Sequence, residues 1–425
     1  MSDQNLEEVC ARRSIDALQE LPQPGGHGFS EDFVELFSTG ERLFKAGDRR
    51  IVVFRGEDLR KIAALPEVGN MPLRALAERA LAEATEDQAA QPDMSNFVRI
   101  LYNQVFTANP PLHGPTRQLF AKPLGQKQVL AFDGLVCEII ETVLEDASGA
   151  GEIDFGFGFT EQVTARFWAS LLGLTDAERL EVLDQIRGMT PFFFIQRTNE
   201  ETIQANAAIG KYLALVAGAV ERTLAAGGND LLTTMAEDFG AITIKGKPES
   251  VAMSLAANLI DGFHTAALAA ANAVYQLLCN PQAEAEVRGN AQLVGAALDE
   301  GLRMSPPVIV THRYALEAFE FDDVTIPAGT AIAMLWSAGN RDPDLFENPN
   351  EYVLTRRRRY EATFGGGAHL CPGRNIAKLI AMRIIARLFA PDVRIQLTGP
   401  VEWIKESTMR QPYRMPVQID RSRQH

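Results

Sequence analysis

One short stretch carries the densest chemistry in this chain: Phe364-Gly365-Gly366-Gly367-Ala368-His369-Leu370-Cys371-Pro372-Gly373. Three consecutive glycines let backbone approach a flat ligand with no side chain between them. Cys371 stands just before a predicted helix, with Pro372 near that helix's first position. Backbone N–H groups and the positive end of the helix dipole then face the sulfur, and both favour thiolate over thiol. Thiolate is the form that binds a metal such as iron.

A second group sits in the run from Ser250 to Leu278, which is long and nearly free of charge. A helix apolar all round is a buried helix. Asp261, His264 and Thr265 interrupt it. A threonine hydroxyl at this place can bond the carbonyl four residues back, here that of Asp261, and open the helix to water. His264, with an ordinary pKa of about 6.5, can carry a proton. Asp261, one turn before Thr265, can do the same. The sequence leaves both open. Elsewhere, Glu300 and Arg303 fall at i and i+3, close enough to pair on one helix face. His113 and Arg117 fall four apart and share a face if helical.

These residues need elements to position them. The chain has 425 residues, 46% of them hydrophobic, enough for a large core. The charge of −14 argues against nucleic acid as a partner. The cysteines (Cys10, Cys137, Cys279 and Cys371) are scattered without a C-x-x-C pair, so neither a disulfide framework nor a structural zinc site is expected. The polar start lacks the apolar core of a signal peptide, and no uninterrupted apolar run reaches about 18 residues, so neither secretion nor a membrane span is expected. A reducing cytoplasm is the expected location.

Residues 115–302 read as mainly helical, with amphipathic repeats at 135–146 and 210–230. Leu21–Gly28 reads as irregular. Arg49–Gly56 reads as a short strand, and 318–336 as a hairpin around Pro327-Ala328-Gly329. The expected fold is mainly α with small β-sheets. Residues 1–425 are expected to form a single domain, since motifs far apart make sense around one pocket.

The string F-G-G-G-x-H-x-C-P-G resembles the haem-binding loop of the cytochrome P450 family. The resemblance covers nearly the whole chain and is weakest before about Leu101. It implies that family's fold, with haem b between a long distal helix and the cysteine loop. It implies Cys371 as the axial iron ligand, with Phe364 and Gly365 of the same loop among the haem-binding residues. It assigns His369, Arg313, His113 and Arg117 to the haem propionates, which as buried carboxylates need cationic partners. It adds Arg356 to the Glu300–Arg303 pair as a scaffold, and reads Asn340-Arg341-Asp342-Pro343 as structural.

The same resemblance implies a pocket lined by Leu259, Phe263, Val308, Val310, Thr408 and Met409, with 97–106 and 191–196 as a lid. Arg99, Gln104 and Gln196 are candidates to anchor a polar end. The activity implied is monooxygenation: O2 and electrons from a ferredoxin and its reductase oxidise a small, mostly apolar molecule. The basic run Arg356–Arg359, with Arg374 and Lys378, is the expected ferredoxin face. One departure stands out. The family's distal helix reads Ala or Gly, Gly, any residue, acid, Thr. Here the string is Asp261-Gly262-Phe263-His264-Thr265, with histidine in the acid's place and an acid at its start. Two alternatives follow: an enzyme driven by peroxide, and a non-enzymatic haem sensor in which His264 is a sixth ligand.

Overall fold

The structure is a computed structural model, and it describes residues 13–22, 33–71, 93–194, 196–357, 362–405 and 407–422. Most of Leu21–Gly28, expected to be irregular, lies outside these residues, as do Arg358 and Arg359.

A long central helix, Val251–Leu278, organises the molecule. Ser250 caps it by accepting from the Met253 N–H at 3.0 Å. Its run of alanines gives high helix propensity and small girth. Neighbouring helices therefore come close: Glu161–Leu172, Asn199–Ala225, Val294–Met304 and Arg374–Leu388 all pack on it. Close approach dictates two glycines. A Cβ on Gly262 would stand 3.0 Å from Trp168 Nε1, and one on Gly301 only 2.9 Å from the Ala273 Cα. By length and composition the central helix is apolar enough to cross a membrane, but most of it is buried inside this core.

A five-stranded sheet forms the second part, in the order Leu43–Lys45, Arg50–Val53, Ala331–Met334, Thr311–Ala315, Val68–Gly69. Alternation along its strands feeds two small apolar clusters. Ile51, Val53, Ile332 and Met334 belong to one, and Phe44, Val52 and Ala333 to the other. Register sets Gly69 opposite Tyr314, which brings the next residue, Asn70, beside Arg313.

The hairpin falls one turn earlier than expected. Phe319–Phe321 pairs antiparallel with Val324–Ile326 around Asp322-Asp323, with Asp322 at φ 56°. Aspartate tolerates that left-handed conformation and makes the tighter turn. Pro327-Ala328-Gly329 instead carries the chain into Ala331–Met334, a strand of the other sheet.

Candidate functional site

The cysteine loop is built by close contact. Gly367 has φ 62°, and a Cβ there would lie 1.7 Å from the Ala63 carbonyl oxygen, so no other residue fits. Gly365 and Gly366 lie against the Trp336 ring. The Cys371 N–H donates to the Phe364 carbonyl at 3.0 Å, and the helix Arg374–Leu388 begins three residues later. Burial pushes the Cys371 thiol up to about 11. The Gly373 N–H and the charges of Arg117 and Arg374 pull the other way, while Asp261 raises it further. The local donors favour thiolate, as the loop sequence suggested, and burial opposes them. A cation at the sulfur would shift the balance toward thiolate.

Beside the loop lies a buried cluster of nitrogen bases. His113 and Arg117 occupy one face of the helix His113–Ala121. Arg117 donates to the Leu370 carbonyl. The His113 and His369 rings lie 4.0 Å apart, centroid to centroid. Arg313, on the strand Thr311–Ala315, is buried. Burial, with neighbouring positive charge, lowers His113 to about 4 and His369 to about 3, and burial alone lowers Arg313 to about 10. Among the described residues, Arg117 and Arg313 donate to carbonyl and amide oxygens rather than to a carboxylate, and the buried His113 Nε2 has no partner. A dry site that holds this much cationic capacity is built for an anion. The two carboxylates of a haem would supply that charge, and its iron would supply a cation for the Cys371 sulfur. The residues present fit the group.

Across from Cys371 runs the middle of the central helix. The Thr265 hydroxyl donates to the Asp261 carbonyl at 2.6 Å, and one turn separates the two side chains. Asp261 exposes surface although it lies deep in the protein, and its charge is felt at Cys371. Burial raises its carboxyl to about 7. His264 points elsewhere. Its Nε2 lies 3.2 Å from Gln411 Oε1, and its ring stacks on Phe193 at 5.9 Å. Burial lowers its pKa, partly offset by Glu161 and Gln411, with Arg187 lowering it further. Of the two proton carriers left open by the sequence, Asp261 shares the Thr265 face and His264 does not.

Glu300 and Arg303 pair on the helix Val294–Met304 at 2.8 Å, and Arg356 Nε reaches the same Glu300 oxygen at 2.9 Å. Burial pushes Glu300 up, but Arg303, the Val353 N–H and Arg356 outweigh it and lower its pKa. The two arginines also donate to the carbonyls of Asn340, Pro349, Glu351, Glu347 and Asn348, stitching down the irregular chain before the cysteine loop. Asn340 and Asp342 do similar work, on the Ala362 and Gly56 N–H groups.

The expected pocket lining divides. Leu259 and Phe263 sit about 160° around the helix from Asp261. Phe263 meets Tyr212 edge-on at 6.3 Å, and both residues are core. They face away because 259, 261 and 263 are spaced for a strand, not for one helix face. Val310 is buried in the small cluster with Phe44 and Leu335. Val308 and Met409 pair through a backbone bridge, and Phe194 pairs with Ser407. These pairs bring 190–194, 308–310 and 407–411 together beside His264. Phe97 stacks on Phe192 at 4.3 Å, joining the two expected lid segments. Arg99 is committed to Glu249 and Gln104 to the Ala257 carbonyl, while Gln196 is exposed. Arg99 and Gln104 therefore hold scaffold rather than substrate. The expected basic face is also depleted: Arg356 is bound to Glu300, and Lys378 to Asp299 at 3.0 Å.

Sequence reasoning missed Asn70, Asn109 and Gln411. Each is a lone amide with no periodicity or motif around it, and only the fold brings it to the site.

A partly buried cysteine sulfur, with two arginines and two histidines beside its loop and a hydroxyl and an acid on the central helix, is the donor set that a haem-thiolate site needs. The family model for cytochrome P450 matches residues 161–390. The chain is 28% identical over 372 residues to cytochrome P450 107B1 of Saccharopolyspora erythraea, covering 86% of this chain and 88% of that protein. It is 28% identical over 324 residues to 6-deoxyerythronolide B hydroxylase of the same organism, covering 74% and 77%. The fold matches that of P450BioI, solved with an acyl carrier protein ligated to hexadec-9Z-enoic acid, at a TM-score of 0.78 and 19% identity, over 92% of this chain and 98% of that one. The chain belongs to the cytochrome P450 family. It is a monooxygenase, and its cofactor is haem b.

Proposed function

We propose that the enzyme inserts one oxygen atom from O2 into a small, mostly apolar molecule, using electrons from a ferredoxin-type partner. Haem, held through the Cys371 sulfur, supplies the oxidising chemistry. His113, Arg117, Arg313 and His369 hold its carboxylates. Glu300, Arg303 and Arg356 keep the cysteine loop in register. The observation that carries the reading is the pairing of Thr265 with Asp261 on the helix face opposite Cys371.

The Thr265 hydroxyl gives its hydrogen to the Asp261 carbonyl, so its oxygen is free to accept from a water. That water then sits beside a carboxyl that titrates near neutrality. Asp261 passes a proton to the water, and the water passes one on toward the space that Cys371 faces. His264 has no part in this path; it ties the central helix to Phe193 and Gln411. Turned that way, it is also poorly set to be the sixth ligand of a sensor.

The apolar substrate rests on Val308, Met409 and the stacked Phe97 and Phe192. Arg374, whose side chain donates to the Cys371 carbonyl at 3.2 Å, is a cation of the expected ferredoxin face held beside the cysteine loop. The test is a panel of apolar compounds screened by haem spin-state shift. Hits are then turned over with a reconstituted ferredoxin chain, or with hydrogen peroxide alone. Product with the chain but not with peroxide is expected. Product with peroxide alone, at equal or greater rate, overturns the electron-fed reading.

A further inference from the structure

Asn70 stands at the end of the strand Val68–Gly69 and is buried. Its backbone is locked to Asn109. The Asn70 N–H donates to Asn109 Oδ1 at 2.8 Å, and Asn109 Nδ2 donates back to the Asn70 carbonyl at 2.8 Å. Gly69 makes room for this exchange, since a Cβ there would stand 2.5 Å from Asn109 Oδ1. The side chain is fixed from both ends. Arg313 Nη1 lies 3.3 Å from Asn70 Oδ1, and the Ala108 carbonyl lies 3.5 Å from Asn70 Nδ2. A guanidinium only donates and a carbonyl only accepts. The amide therefore has one orientation, with its NH2 group toward His369 Nε2 at 3.1 Å. An amide NH2 only donates, so Nε2 must accept. A ring nitrogen that accepts a hydrogen bond carries no hydrogen, so the His369 ring is in its neutral form. Its single ring proton is then on Nδ1.

We infer that Asn70 is a positioning residue of the haem site: it fixes His369 as the Nδ1–H tautomer and braces Arg313 with the other end of the same amide. This rests on the haem-thiolate reading and adds to it the device that keeps two carboxylate-binding donors in one arrangement. Partners of this outer kind orient the groups that do the binding, and their loss weakens it about 10–100-fold at metal sites.

The experiment uses the holoenzyme, reduced and bound to carbon monoxide so that the iron is diamagnetic, with 15N-labelled histidine. The ring nitrogens of His369 are assigned by His369→Gln. A protonated Nδ1 and an unprotonated Nε2 are expected. A proton on Nε2 in the parent protein overturns the inference. Asn70→Leu removes the amide at similar volume. It is expected to give mixed tautomers and transfer of haem to apomyoglobin about tenfold faster. Unchanged tautomer and transfer rate overturn the inference. Should Asn70→Leu not fold, Asn70→Asp keeps the size but only accepts, and it should move the proton to Nε2. Failure to do so is equally decisive. The long-wavelength Soret band of the carbon monoxide complex reports the sulfur ligand independently. A wrong tautomer with that band intact sinks the role of Asn70 alone.

Discussion

The Thr265 hydroxyl and the Asp261 carbonyl are 2.6 Å apart, and that bond decides what the hydroxyl can do for the reaction. With its hydrogen committed, Thr265 acts as an acceptor that holds water. Thr265→Ala removes the acceptor. Electrons should then leave as hydrogen peroxide, with product per NADH falling about tenfold to a hundredfold while NADH is still consumed. Thr265→Ser should retain most coupling. If the alanine variant couples as well as the parent, the water-holding role is wrong.

The carboxyl of Asp261 supplies the pH dependence. Its folded pKa, about 7, is raised above the ordinary 3.8 by burial. The folded protein thus holds a proton that the unfolded chain has lost between these values. Stability from this group falls as pH rises from about 4 to 7 and is flat above. As a proton donor it works below about 7 and fails above. Coupling should therefore decline as pH rises through 7. Asp261→Asn should be uncoupled at all pH values and should lose the stability decline. A coupling profile in Asp261→Asn that still titrates near 7 assigns the proton to another group.

Glu300 sits between two arginines in a dry place, and the sequence showed only half of this. The i, i+3 spacing predicts Arg303 as a partner. Nothing local points to Arg356, fifty-odd residues on; only the resemblance did. Glu300→Ala leaves Arg303 buried without its anion, at a cost of about 3–5 kcal/mol. The melting temperature should drop, and haem should be lost below the main transition because the chain held by Arg303 and Arg356 leads into the cysteine loop. Normal haem content and melting in that variant would remove the scaffold role.

What the sequence conveys and what it hides follow one division. Contacts within a turn of helix were legible: His113 with Arg117, Glu300 with Arg303, Thr265 with the Asp261 carbonyl. So was the cysteine loop, whose glycines answer a local steric demand at Ala63 and Trp336. Directions across the fold were not. His264 and Asp261 look equivalent in the string, yet helical phase turns one to Gln411 and the other to the interior. Phe263 and Leu259 fail for the same reason. At Cys371 the local donors were legible, whereas the burial that opposes them is a property of the whole fold. Asn70 was invisible because its partners, Ala108, Arg313 and His369, come from three distant segments.

The cationic cradle predicts how haem changes acid stability. In the free protein His113 and His369 have pKa values lowered from the ordinary 6.5 to about 4 and about 3, by burial first and neighbouring cations second. Below 6.5 the unfolded chain takes up protons that these folded groups refuse. Stability is therefore lost as pH falls from about 6.5 toward 3, by up to about 1.4 kcal/mol per pH unit for each histidine. Two carboxylates placed in the cradle raise both folded values and reverse part of that loss. Acid unfolding followed by circular dichroism should show a lower midpoint pH for the haem-loaded protein than for the apoprotein. His113→Gln combined with His369→Gln should narrow the gap, because the amides do not titrate. Identical midpoints with and without haem in the parent protein would mean that the carboxylates bind away from His113 and His369, and would move them to another part of the site.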